Sequence, residues 1–468
     1  MKKKLLPIIL AIAFLLTPLQ TFAGGVDVKS QFAKGSYAFS DSLYEAGELS
    51  EEARLTRRYA PKEQAKAKDA PTIGCKAAYL ADPVSGKVFF EKNAHKKMYP
   101  ASTTKILTAL VVLEHCNTED IVTVSEAAAA LVDEGYSNAN LQAGEKLSVF
   151  TLLQAMLIPS ANEAAYALAE HVSGSVKNFA ALCNQRAKEL GCETLHFVNP
   201  NGLHNKSHYC SAYDLFLVAR ECQKYDVFNE IVKTKTFTIP ATDIYPQNDR
   251  TYDNTNELLF DGEYYYSYCT GIKTGHTTPA GECLVASSFR DDLNLISVVL
   301  GGKITDEENE RFSDTKKLFE YVNEHYEFKL IVDKTHALGT VNVKHAVSEQ
   351  EVLDYVIQTD IYSVAPNEIT PNSVDTQIKL AEEIKAPIKQ NQVLGTVTYK
   401  VDGLIYSANI VAANDVQKKP FWLYNTLVAL GIIALLIIIR TVQLNKQKKA
   451  RQKARRERLA ARQNGEYL

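Results

Sequence analysis

The sequence lacks the short patterns that most metal and thiol chemistries require. Its 468 residues hold eight cysteines with no Cys-x-x-Cys pair, and ten histidines with no His-Glu-x-x-His run. Metal and redox motifs of those kinds are therefore excluded. Glycine (22) and proline (15) are too sparse for a collagen-like chain. Hydrophobic residues at 46% and charged residues at 23% exclude wholesale disorder and a multi-span membrane protein. No excess of one charge shows either, because the net charge is −3. That balance hides an asymmetry. Residues 440–468 carry ten Lys/Arg against two Asp/Glu and residues 2–4 are lysines, so residues 5–439 stand at about −14. An acidic body argues against nucleic-acid binding, which needs a positive surface on the folded part.

Apolar runs are confined to the two ends. Three lysines precede the uncharged run at 5–16, and Thr21-Phe22-Ala23 offers small residues for cleavage, so residues 1–23 read as an export signal. Residues 421–439 are charge-free and apolar, and as a helix they span about 28 Å, the thickness of a bilayer core. Trp422 and Tyr424 sit at the start of this transmembrane helix and Arg440 at its end. The positive-inside bias puts the basic tail, 440–468, in the cytoplasm and everything between signal and anchor outside the cell membrane. Anionic lipid is the plainest partner for that tail.

All eight cysteines precede residue 284, in the exported part. An even number outside the cytoplasm permits four bridges, yet a domain of this size does not need them, so bridging stays open. His204 and His208, four apart, read as a structural pair, with no acidic ligand pattern beside them.

Residues 24–71 are polar, without apolar periodicity, and read as a mobile leader. Residues 75–80 and 87–90 form a predicted hairpin across Asp82-Pro83-Val84-Ser85-Gly86. After Pro100, Ile106, Leu107, Leu110 and Leu113 recur at helical spacing, and residues 119–170 continue helix-rich with breaks at Gly144 and Pro159. Strand character returns at 284–288 and 293–300, and a charged amphipathic helix at 306–326 closes the unit. An α/β domain over 72–327 follows. Residues 328–416 are Val/Ile/Thr-rich with a hairpin signal at Asp402-Gly403, a second, β-rich domain that reads as a spacer.

Three short motifs stand in the large domain: Ser102-Thr103-Thr104-Lys105, Ser160-Ala161-Asn162 and Lys273-Thr274-Gly275. Each is weak alone, since Ser313 to Lys316 and Ser407 to Asn409 match the first two patterns elsewhere. Context separates them: only Ser102 opens an apolar-periodic helix. Positions i and i+3 share a helix face, so a neutral Lys105 amine can take the Ser102 proton in place of a histidine base. The helix start aims N–H groups at developing negative charge. Ser160 can relay a proton to a leaving amine, and Asn162 can pair with a substrate amide. Lys273 and Thr274 suit an anionic group, while Gly275 lets a substrate backbone approach a strand edge. The expected substrate is a short peptide with a free carboxylate.

These motifs resemble those of the low-molecular-mass penicillin-binding proteins, serine-type D-alanyl-D-alanine carboxypeptidases of the penicillin-recognising superfamily. Further similar blocks are Ala77-Ala78-Tyr79-Leu80-Ala81-Asp82, Asn199-Pro200-Asn201-Gly202-Leu203, Asn254-Thr255-Asn256-Glu257-Leu258-Leu259 and Thr270 to Thr277. The resemblance implies a β-lactamase/transpeptidase-like α/β fold, an antiparallel sheet flanked by helices. It makes Ser102 the nucleophile, Lys105 the base, Ser160 and Asn162 the relay, Lys273 and Thr274 the carboxylate clamp, and the His276 N–H the second oxyanion donor. It implies attack on the terminal D-Ala-D-Ala bond of a peptidoglycan stem peptide, acylation by penicillin and other β-lactams, and no cofactor or metal. A D,D-endopeptidase or transpeptidase differs only in the bond or acceptor used. A β-lactamase needs a water-activating glutamate that the sequence does not single out, and a non-catalytic wall-binding scaffold has no use for an intact Ser102, Lys105 and Lys273.

Overall fold

The computed structural model describes residues 70–132, 136–370, 373–420 and 422–463. The signal at 1–23 and all but the end of the leader at 24–71 lie outside the described residues.

The chain enters through a hairpin, β1 (Ala77–Ala81) and β2 (Val88–Lys92), as the turn residues at 82–86 predict. A 3-10 turn over Ala101–Thr104 leads into α1 (Lys105–His115). Then follow β3 (Ile121–Thr123), α2 (Glu126–Ala129), β4 (Lys146–Ser148), α3 (Val149–Leu157), α4 (Asn162–Ser173) and α5 (Val176–Glu189). The β3–β4 pair departs from the helix-rich expectation for 119–170. Three-residue strands are too short to leave a periodic signal. Next come α6 (Ala212–Cys222), opened by a Ser211/Asp214 capping box, and α7 (Asp226–Lys233). The small hairpin β5 (Thr236–Ile239) and β6 (Arg250–Asp253) precedes three long strands, β7 (Cys269–Thr277), β8 (Gly281–Arg290) and β9 (Leu293–Gly302). Helix α8 (Glu310–His325) starts later than the predicted 306 because the Asn309 side chain caps it, accepting from the Arg311 N–H.

The main sheet runs β2-β1-β9-β8-β7, all antiparallel. Every residue of β9 is buried, and its side chains alternate between two cores. Ile296, Val298 and Leu300 face the helical layer with Leu107, Leu110 and Phe216. Leu293, Leu295 and Val299 face Phe312, Leu318 and Phe319 of α8. The sheet is thus sandwiched, and β7 is left with one open edge.

Strand β10 (Tyr326–Val332) leaves α8 with no linker and pairs with β13 (Ile361–Pro366). The remaining strands are β11 (Gly339–Asn342), β12 (Val352–Ile357), β14 (Asp375–Leu380), β15 (Val393–Val401) and β16 (Leu404–Ala412), ordered β11-β12-β16-β15-β14. They enclose their own core around Ile331, Leu353, Val397 and Ile410. Helix α9 (Trp422–Gln463) runs unbroken through the apolar stretch into the basic tail, whose residues 432–463 contain no glycine or proline. Among the described residues it is the helix long and apolar enough to cross a membrane.

All eight cysteines are free thiols, with no bridge among them. Cys75, Cys183, Cys210, Cys222 and Cys283 are buried as small apolar side chains rather than paired.

One ion pair joins the β-rich part to the main sheet. The Lys87 ammonium, only 3% exposed at the foot of β2, meets the Asp402 carboxylate and donates to the Asp402 carbonyl at 3.1 Å. It also lies 5.3 Å from the Tyr326 ring centroid. Asp402 has φ +43°, as the two-residue β15–β16 turn demands. Asp402→Asn keeps that backbone preference and leaves the buried ammonium uncompensated, so thermal unfolding should show a loss of about 1–3 kcal/mol. Lys87→Met in the same background should recover part of it.

Candidate active site

The site forms where the 3-10 turn before α1 meets the open edge of β7. The turn is held by its own hydroxyls: Thr103 Oγ1 donates to the Pro100 carbonyl at 2.7 Å and Thr104 Oγ1 to the Ala101 carbonyl at 2.8 Å. Because Thr104 spends its proton there, it accepts from His208 Nε2 at 2.8 Å, and His208 Nδ1 accepts from the Val198 N–H at 3.1 Å. Burial pushes the His208 imidazole down to about 3, consistent with this neutral tautomer. His204 instead lies edge-on to Tyr99 at 4.7 Å. The histidine pair is not helical; it belongs to the loop that braces the turn.

Lys105, the first residue of α1, is fully buried. Its Nζ lies 2.9 Å from Ser102 Oγ, 2.9 Å from Asn162 Oδ1, 2.9 Å from the Asn201 carbonyl and 3.4 Å from Ser160 Oγ. Burial, and then the charge of Lys273, hold this amine well below the usual lysine range. A neutral amine has two N–H groups and one lone pair. The Asn162 and Asn201 oxygens can only accept, so they take the two N–H groups and leave the lone pair for the Ser102 O–H.

Ser160 is buried with φ +71°, a strained conformation for serine, and only the cap residue Ala161 separates it from α4, whose first residue is Asn162. The Asn162 N–H donates to the Ser137 carbonyl at 3.0 Å. Glu163 Oε1 accepts from the Ala139 N–H at 2.5 Å, so the start of α4 anchors the loop beside it.

Lys273 enters from β7. It is 1% exposed, and its Nζ is buried without a hydrogen-bond partner among the described residues. Burial, and then the Arg311 charge, push it down to about 7. Thr274 Oγ1 pairs with Thr255 Oγ1 at 2.5 Å. A Cβ on Gly275 would stand 3.0 Å from the Ser102 and Thr103 nitrogens and the Pro100 oxygen, so only glycine lets β7 lie this close to the turn. His276 Nδ1 is 2.6 Å from Glu282 Oε1, and Arg311 Nη1 is 2.5 Å from Glu282 Oε2.

The three motifs therefore converge in one place. Reading residue types alone missed several supports: the Asn201 carbonyl, Gly202, the Thr104–His208 brace, Glu163, and the Glu282–Arg311 pair behind β7. Of these, Gly202 had a local trace, the Asn-Pro-Asn-Gly turn composition at 199–202. Gly202 has φ +86°, and a Cβ there would fall 1.9 Å from the Ala101 carbonyl. Gly202→Ala should consequently lower Tm and slow covalent labelling by penicillin together. Gly86→Ala, with φ +74° and open space around it, should cost only the backbone strain of about 1–2 kcal/mol and leave labelling intact.

The comparisons with known proteins bear on the family and the fold. Residues 64–304 match the family model for D-alanyl-D-alanine carboxypeptidase, peptidase S11, and residues 326–418 that for the penicillin-binding protein 5 C-terminal domain. The chain is 33% identical over 352 residues to D-alanyl-D-alanine carboxypeptidase DacF of Bacillus subtilis, covering 74% of this chain and 86% of that one. It is 31% identical over 363 residues to D-alanyl-D-alanine carboxypeptidase DacA of Escherichia coli, covering 75% and 86%. Among solved structures, a peptidoglycan synthesis regulatory factor (PBP3) from Streptococcus pneumoniae superposes with a TM-score of 0.61 at 27% identity, covering 74% of this chain and 100% of the other. With a convergent Ser-Lys centre, a sandwiched antiparallel sheet and matches across both folded parts, the chain belongs to the D-alanyl-D-alanine carboxypeptidase family, peptidase S11.

Proposed function

We propose that Ser102 is the nucleophile and Lys105 the general base of this serine D-alanyl-D-alanine carboxypeptidase. The observation that carries the assignment is the fully buried Lys105 amine, held well below the usual lysine range by burial and then by Lys273, at 2.9 Å from Ser102 Oγ with the Asn162 Oδ1 and the Asn201 carbonyl also at 2.9 Å to accept its N–H groups. Ser102 Oγ bonds to the carbonyl carbon of the penultimate D-alanine of a peptidoglycan stem peptide while its proton passes to Lys105. The backbone N–H groups of Ser102 and His276 receive the oxyanion, a reading supported by the close approach of Gly275 to the Ser102 nitrogen. Ser160 relays the proton to the departing amine, the C–N bond breaks, and D-alanine leaves. Water then attacks the acyl-Ser102 ester, giving a proton back through Lys105, and the serine is restored. Asn162 orients the substrate amide. The Lys273 ammonium, without a hydrogen-bond partner among the described residues, and the Thr274 hydroxyl hold the terminal carboxylate. A β-lactam such as penicillin presents a carboxylate and a strained amide to the same groups.

Residues 72–327 act as the catalytic domain and 328–416 as a spacer, with residues 1–23 serving for export. Helix α9 anchors the chain as a single span, with the catalytic part outside the cell and the basic tail on cytoplasmic anionic lipid. The aromatic pair Trp422 and Tyr424 and the cations from Arg440 onward support this orientation.

Ser102→Ala should abolish both covalent labelling by a fluorescent penicillin and D-alanine release from a D-Ala-D-Ala peptide, by at least ~10⁴-fold; retained labelling would refute the assignment. The pH profile has a definite sign. Lys105 must be neutral, so the rate falls as pH drops through its lowered pKa. Lys273 must be charged, so kcat/KM falls again as pH rises through about 7. A bound carboxylate favours the ammonium, so the alkaline limb of kcat should lie at higher pH than that of kcat/KM. Steady-state profiles of wild type and of Lys273→Arg, which keeps its charge, check this: the alkaline limb should vanish in the variant.

A further inference from the structure

Helices α1 and α4 pack side by side and start at the same place, where Lys105 Nζ meets Asn162 Oδ1 at 2.9 Å. With 11 and 12 residues they are nearly equal in length, about 16–18 Å, so they also end together. At that far end lie Cys116, which caps α1, and His171, in the last turn of α4. Asp120, in the turn before β3, completes the group. The Cys116 Sγ, a carboxylate oxygen of Asp120 and a ring nitrogen of His171 all lie within 4.8 Å of one another.

We propose that Cys116, Asp120 and His171 form a zinc site that clasps the distal ends of the two helices whose proximal ends carry the catalytic groups. Thiolate, imidazole and carboxylate together suit zinc over calcium or magnesium, which take oxygen ligands. Zinc bonds of about 2.0–2.3 Å at tetrahedral angles put donor atoms some 3.3–3.8 Å apart, so the three groups need to close by only about 1 Å. The frame for two of the ligands is already fixed. The Cys116 N–H donates to the Val112 carbonyl at 2.9 Å. Asp120 Oδ2 accepts from the Asn117 N–H at 2.9 Å, the Asp120 N–H donates to the Asn117 carbonyl at 3.1 Å, and the Asp120 carbonyl accepts from the Val149 N–H at 2.9 Å. His171 is exposed and free to swing the remaining distance. On binding, the Cys116 thiol releases its proton to solvent as the metal–sulfur bond forms, and water fills the fourth position. The ion would stand a full helix length from Ser102, so it fixes helix spacing and takes no part in the acyl transfer. The inference is independent of the roles proposed for the catalytic residues.

The test uses the full chain in detergent, reduced and stripped with a chelator. Competition with a chromophoric chelator should show one zinc bound per chain, and cobalt(II) should give a sulfur-to-metal charge-transfer absorption. His171→Ala should weaken zinc binding by at least about 100-fold, and Cys116→Ser should remove the charge-transfer band. Zinc should raise the Tm of the wild type and not that of either variant. His171 is exposed, so its variant remains informative even where Cys116→Ser does not fold. Absence of stoichiometric zinc binding to the wild type, or binding and spectra unchanged in His171→Ala, would overturn the proposal.

Discussion

The structure is organised around one lysine amine sealed away from water. A buried ammonium is costly unless paired with a carboxylate, and among the described residues Lys105 has none in hydrogen-bonding reach: its neighbours are a hydroxyl, an amide oxygen and a backbone carbonyl at 2.9 Å, with a second hydroxyl at 3.4 Å. The cheaper state is the neutral amine, and the neighbours fit that state donor for donor. Some departures from ordinary backbone geometry lie beside it. Ala101 and Ser160 both adopt positive φ, and Gly202 lies against the Ala101 carbonyl. Such strain persists only where surrounding structure over-determines it, which the two-core sandwich around β9 provides.

Two lysines in one small site create a further constraint, because each charge disfavours the other. Lys105 feels Lys273, and Lys273 feels Arg311. Burial is the first cause for both: it holds Lys105 well below the usual lysine range and Lys273 at about 7. Glu282 pairs with Arg311 and His276 beside the strand; Glu282 and Arg311 are largely covered, while the His276 ring stays exposed to solvent.

Much of this was legible from the chain alone, for identifiable reasons. The β1–β2 turn, the Asp402-Gly403 hairpin and the helix after Pro100 carry strong local signals, and the three short motifs carry chemistry in their residue types. Other features left no local trace. The β3 and β4 strands are three residues each and depend on their partner for existence. The Asn201 carbonyl is a backbone group, invisible to any reading of side chains. Arg311 and Glu282 look like ordinary surface charges in sequence, and only the fold brings them behind Lys273. The cysteine count permitted bridges, but pairing depends on distances that composition does not hold.

Those eight unpaired thiols leave the fold without covalent staples, so its cohesion rests on packing, hydrogen bonds and ion pairs alone. Five of the eight sit inside the packed core, where burial keeps them protonated and shielded from peroxide and from stray mixed disulfides.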